Sequence, residues 1–135
     1  MHHIQHIVHE EETLAIILRN QYQKDGIEFF TPDEFPQQLG YMKHKKGHKI
    51  KPHLHNKIER KVNFTFEVLF IKSGIVKVNF YDLNKEFIKS DILNKGDVIL
   101  LAFGGHGFEV MEDSEMIEVK QGPYAGDDDK TRFDA

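Results

Sequence analysis

Thr65-Phe-Glu-Val-Leu-Phe-Ile-Lys-Ser-Gly-Ile-Val-Lys-Val-Asn-Phe-Tyr81 decides the fold class. Two runs rich in β-branched and aromatic residues flank Lys72-Ser73-Gly74, a turn whose glycine supplies backbone angles that other residues adopt at a cost. The stretch therefore predicts two strands, Thr65–Lys72 and Ile75–Tyr81, joined by a tight reversal. The first is apolar on both faces: Phe64, Phe66, Val68 and Phe70 alternate with Glu67, Leu69 and Ile71. A strand of a small barrel buries one face, so the second needs a cover, either the N-terminal residues Ile4–Leu18 or a second chain. We expect a homodimer on this ground.

The same signature recurs on either side. Short alternating or apolar runs predict further strands at Thr13–Arg19, Ile27–Phe30, Tyr41–Lys43, Lys49–Pro52, Phe87–Leu93, Asp97–Ala102, Gly107–Met111 and Met116–Gln121. Turn residues separate them at Lys24-Asp25-Gly26, Asp82-Leu83-Asn84, Asn94-Lys95-Gly96, Gly104-Gly105 and Glu112-Asp113-Ser114. Thr31-Pro-Asp-Glu-Phe-Pro has room for one helical turn. Helical periodicity is absent elsewhere, so the chain reads as all-β, a sandwich or small barrel. Its length, 135 residues, fits one domain, with a strand extension over residues 1–40, a barrel over 41–124 and an acidic tail over 125–135.

Composition narrows the functions. The longest apolar run, Val98–Phe103, is far below the roughly 18 residues needed to span a bilayer, so no membrane association is expected. The N-terminus has no extended apolar stretch of the kind a secretory signal carries, and a cytoplasmic location is expected. With no cysteine, thiolate chemistry, disulfides and Cys-ligated zinc or iron–sulfur sites are excluded. Residues 41–61 hold 8 basic side chains and 1 acidic one, against 2 and 7 in residues 1–40 and 8 and 14 in the remainder. A short cationic segment in an acidic chain, without interleaved aromatics, is either an anion-attracting rim or a solvated lysine-rich edge that keeps strands from pairing with neighbours, and no nucleic-acid binding is expected.

The chemistry lies beside that segment. His53 and His55, one residue apart, project from the same face if extended, close enough to share a metal ion. Gly47 precedes His53 by six positions, Glu67 is followed by six residues and then Gly74, and a second block runs Gly96-Asp-Val-Ile-Leu-Leu-Ala-Phe-Gly-Gly-His106. This pattern resembles the two motifs of the cupin superfamily, and the resemblance covers Gly47 to Val110. The gap between His55 and Glu67 is longer than usual, with Asn56–Asn63 as an insertion. Ala102 stands where a proline is usual, and His106 comes one position early. The resemblance implies a double-stranded β-helix, or jelly-roll barrel, with His53, His55, Glu67 and His106 around one metal. Glu59 is a rival carboxylate, because it sits at the usual distance from His55.

Three imidazoles and a carboxylate form a sulfur-free site of the kind that takes Fe, Mn, Ni, Cu or Zn, so one divalent transition metal is the expected cofactor. Lys51, Arg60 and Gln121 are candidate substrate-binding residues: a point charge, a bidentate clamp and an orienting amide. Gln121 alternates with Ile117 and Val119, taken as inward. His2, His3, His6 and His9 carry little metal-site weight, and His44 and His48 read as surface strand residues. The expected function is isomerase- or epimerase-type chemistry on a small polar molecule, sugar-related or anionic, as in carbohydrate metabolism. A non-haem metal dioxygenase and a non-enzymatic metabolite- or sugar-binding module are the alternatives. No general acid or base can be named from the sequence.

Overall fold

A computed structural model describes residues 3–135 and divides the chain into two compact units. The first comprises residues up to Tyr22 together with Phe64–Ala135, and the second is Gln23–Asn63. The all-β reading holds. The described residues form ten strands: β1 (Ile4–His9), β2 (Glu12–Leu18), β3 (Gly26–Phe29), β4 (Gly40–Lys43), β5 (Glu67–Ser73), β6 (Ile75–Tyr81), β7 (Phe87–Asn94), β8 (Val98–Leu101), β9 (Gly105–Val110) and β10 (Glu115–Lys120). One 3₁₀ turn lies at Gly126–Asp129. No described helix is long and apolar enough to cross a membrane.

In the first unit the strands form two open antiparallel sheets, one in the order β1-β2-β8-β5-β10 and the other β7-β6-β9. Register assigns their faces. Ala15, Leu101 and Glu67 lie side by side, as do Ile17, Ile99 and Leu69, so these residues share the inner face of the larger sheet. Val76, Val78, Phe80 and Leu93 line the inner face of the smaller one, and the two rows form a single buried cluster with Ile7 and Ile71. Ile16 and Leu100, in the opposite phase, are also fully buried. The larger sheet is thus apolar on both sides at β2 and β8, as the Val98–Phe103 run requires.

Gly74 makes the β5–β6 reversal possible. Its φ is +86°, and a Cβ there would lie 2.3 Å from the backbone oxygen of Asp113, which cannot move aside as a flexible side chain would. At β7–β8, Asp97 holds the turn. It is 2% exposed, and its carboxylate accepts the backbone N–H of Asn20 (2.9 Å) and Asn94 (2.7 Å) and Nη1 of Arg19 (2.9 Å). Arg19 also donates to Gln5 (2.8 Å) and to the carbonyl of Ile92 on β7 (2.6 Å), so one guanidinium joins both sheets.

The second unit is a two-stranded sheet, β3 with β4, followed by a long segment without regular structure. The connection between its strands is closed by Gln38: its Nε2 donates to the carbonyls of Pro32 (2.9 Å) and Phe35 (3.0 Å), and its Oε1 accepts from Thr31 Oγ1 (2.6 Å). The expected helical turn is there a β-turn, with Phe35 N–H on the Pro32 carbonyl.

Two expectations on strands are corrected. Lys49–Pro52 forms no strand, because Pro52 lacks an N–H and no neighbouring strand satisfies the segment's backbone. The residues before Thr13, for which no strand is predicted, form β1, held by antiparallel pairing from Ile4↔Leu18 to His9↔Glu12.

Removing the Asp97 carboxylate leaves two backbone donors and a guanidinium without their buried acceptor. Asp97→Ala is expected to lower the unfolding free energy by about 3 kcal/mol. Urea denaturation followed by circular dichroism checks this, and a loss below about 1 kcal/mol would remove Asp97 from the role assigned to it.

Candidate functional site

Strand phase brings two of the expected ligands together. Glu67 opens β5 in phase with the core residues Leu69 and Ile71. His106 lies on β9 opposite Phe80 and in phase with Phe108, and so faces the interior from the smaller sheet. The chain enters β9 through Gly104, whose φ is +78° and whose approach to the Tyr81 carbonyl leaves a Cβ only 2.7 Å of room. With this entry, His106 reaches Glu67 although it comes one position early in the motif. Its Nε2 stands 2.8 Å from Glu67 Oε1, a contact between the two sheets.

Electrostatics follow from that contact. The hydrogen bond from His106 holds Glu67 down to about 2, against an ordinary 4.5; burial pushes the other way and is outweighed, while Glu118, His106 and Lys120 add smaller lowering effects. Glu118 is shifted upward, first by its hydrogen bond with Glu67, then by burial and by the repulsion of that carboxylate. Glu67 is therefore the ionised member of the pair and Glu118 the one that retains a proton longer. Sequence reasoning missed Glu118 because it took Ile117 and Val119 as inward. The register puts Glu118 opposite Leu69 and Lys120 opposite Glu67, on the inner face, while Ile117 and Val119 lie on the outer face. The β10 sequence carries the period-2 signal in either phase, and only pairing with β5 selects one.

The remaining expected residues divide between the units. Gln121 donates its N–H to the Phe66 carbonyl, out of phase with Glu67, and its Oε1 is buried without a hydrogen-bond partner. His53, His55, Lys51, Arg60 and the rival carboxylate Glu59 belong to the second unit and are exposed. There the rings of His53 and His55 meet edge to face, with centroids 5.3 Å apart. His53 Nδ1 lies 2.9 Å from the Lys51 carbonyl. A carbonyl only accepts, so Nδ1 carries the proton and the Nε2 lone pair of the neutral ring is available to a ligand. His44 and His48 are stacked at 4.0 Å outside any strand. His3, His6 and His9 lie at or on β1, and His2 lies outside the described residues. Among the described residues, no three His, Asp or Glu side chains are gathered in a geometry that would hold a metal ion.

A cleft of about 660 Å³ opens elsewhere on the first unit, lined by His3, Gln5, Arg19, Gln21, Asp91, Ile92, Asn94 and Asp97. Arg19 follows β2 four residues beyond Ala15, the neighbour of Leu101 and Glu67, which separates cleft and carboxylate by roughly 13 Å along the strand.

The Glu67 shift has a consequence for stability. A carboxyl whose folded value lies below its ordinary one contributes stability that is complete above pH 4.5 and is lost as pH falls from 4.5 towards 2. Glu67→Gln should flatten the acid limb of the stability profile in that window, as read from thermal midpoints. An unchanged acid limb would show that the contact with His106 contributes nothing.

Compared with known proteins, the chain matches no family model, no curated protein sequence and no solved structure.

Proposed function

We propose that this chain is a metal-dependent, cupin-type protein that performs isomerase- or epimerase-type proton transfer on a small polar molecule, sugar-related or anionic. The contact between His106 and Glu67 carries the reading. Two residues 39 positions apart, placed in separate motif blocks by the family resemblance, meet at 2.8 Å as an imidazole and an ionised carboxylate, both donors that a borderline divalent ion accepts. His53 and His55 enter on the sequence motif, with the free Nε2 of His53 as support. A jelly-roll barrel is part of the proposal, since the two antiparallel sheets of the first unit are compatible with it.

A bound divalent ion would supply a Lewis acid able to polarise a carbonyl oxygen. The protein's own groups account for the proton. Glu67 stays ionised through the working pH range, so it can accept a hydrogen bond from a substrate hydroxyl or serve as a ligand. Glu118 is the group best suited to hold and return a proton, because its upward shift brings it closer to neutral pH than an ordinary carboxyl. Arg60 and Lys51 supply positive charge for an anionic substituent.

Elemental analysis of the purified protein is expected to find about one equivalent of a divalent transition metal. The paired replacements Glu67→Ala with His106→Ala, and separately His53→Ala with His55→Ala, should each reduce it below about a fifth. Full metal content after the first pair would overturn the site. Incubation with aldoses, ketoses and their phosphates in deuterated water should place deuterium on the carbon next to the carbonyl, and Glu118→Gln should slow that exchange by about a hundredfold.

A second reading, a non-enzymatic metabolite-binding module, is favoured by the cleft around Arg19. Its volume falls in the range of small-molecule sites, and Gln5, Gln21 and Asn94 offer amide donors and acceptors of the kind that recognise hydroxyl groups. Ligand binding that survives Glu67→Ala but is lost in Gln21→Ala with Asn94→Ala would select it.

A further inference from the structure

β10 ends its sheet: β5 pairs with one of its edges, and among the described residues no strand pairs with the other. All six of its residues are exposed. Proteins ordinarily blunt such an edge with a proline, a bulge, a very short strand or charged side chains. Here a register irregularity at Glu115/Met116 marks the start of the strand, and Glu118 and Lys120 set charges on its inner face, so a partner strand has to match those charges.

Backbone phase determines what this edge can accept. Gln121 donates its N–H to Phe66 of the β5 side, so in an antiparallel ladder residues 121, 119 and 117 turn their backbone groups towards β5. Met116, Glu118 and Lys120 turn theirs outward. On the outer face, Ile117 (51% exposed) and Val119 (58%) continue an apolar surface with Phe70 (38%), which stands opposite Ile117. The edge thus offers free hydrogen-bonding groups and an apolar flank at the same place.

We propose that β10 pairs with β10 of a second copy of this chain, antiparallel about a two-fold axis, and joins the two larger sheets edge to edge. Outward-facing residues must meet outward-facing residues, which leaves few registers. Placing Glu118 opposite the partner's Glu118 sets two like charges against each other. Placing it opposite the partner's Met116 leaves both Glu118 and Lys120 without a charge opposite. Moving the other way sets Glu118 opposite the partner's Lys120, and symmetry repeats the pair, so two opposite-charge contacts flank the axis. Val119 then meets the partner's Val119 on the outer face, and the apolar surfaces of the two copies become neighbours. Charge complementarity within one short strand is what favours a second copy over a foreign peptide. The pairing also brings the partner's Lys120 next to the carboxyl that neighbours Glu67.

Light scattering at about 100 μM protein, at low salt and with a chelator present, tests this independently of metal binding. The expected mass is twice 15.8 kDa, about 32 kDa. Glu118→Lys and Lys120→Glu, made singly, set like charges opposite each other and should each raise the dissociation constant at least about tenfold. The double exchange restores opposite charges and should return it to within about threefold of the parent. Circular dichroism and a urea midpoint verify folding; should either reversal fail to fold, Val119→Lys, exposed and on the axis, is expected to give a monomer. A monomeric parent protein, as expected if β10 serves a foreign strand or none, would overturn the proposal. So would single reversals that leave the dimer intact, or a double exchange as weak as the singles.

Discussion

A carboxylate on the inward phase of a core strand has to be compensated, and here the compensation crosses from one sheet to the other. Glu67 shares its face with Leu69, Ile71, Ile99 and Leu101. Burial alone would raise its pKa and favour the neutral acid, yet the imidazole of His106 outweighs that effect and the group stays ionised. The contact acts on packing as well as charge. β5 and β9 belong to different sheets, so a hydrogen bond of 2.8 Å constrains their separation at this end of the interior.

Arg19 does the corresponding work about four residues along β2. Its guanidinium reaches Asp97 at the start of β8 and the Ile92 carbonyl on β7. The two polar clusters differ in saturation. Asp97 is 2% exposed and accepts three donors, which leaves it little capacity for anything else. Glu67 has an exposed imidazole and a second carboxyl as neighbours, so its cluster stays open to solvent. The apolar interior between them supplies the driving force for folding; the polar clusters set how the sheets meet.

The second unit follows other rules. Its histidines and all its lysines but Lys24 and Lys43 lie in a long exposed segment after β4 that has neither alternating burial nor a strand to pair with. Ile50, Leu54 and Ile58 are exposed there along with the charges. What structure the unit has comes from local hydrogen bonds, with Gln38 closing its loop on Thr31, Pro32 and Phe35. Local bonding of that kind holds a turn, but it cannot by itself order the twenty residues that follow.

The sequence by itself determined nine of the ten strands to within about two residues at each boundary, because alternation and turn residues act over neighbours in the chain. Ile75–Tyr81 coincides with β6, and Gly74 marks its turn through a conformation only glycine adopts without strain. Where a strand depends on a distant partner, local reading failed in both directions. β1, with polar residues between its isoleucines, is a strand because β2 pairs with it, and Lys49–Pro52 is not one because nothing does. The phase of β10 was beyond reach for the same reason: an edge strand leaves Ile117 and Val119 exposed, so hydrophobicity no longer indicates the inner face. With Glu59 as a rival carboxylate, the motif resemblance named Glu67 and His106 as expected ligands. Their contact, and the entry of Glu118 beside them, were decided only by tertiary structure, since strand register and the face-to-face packing of two sheets close the 39 residues between them.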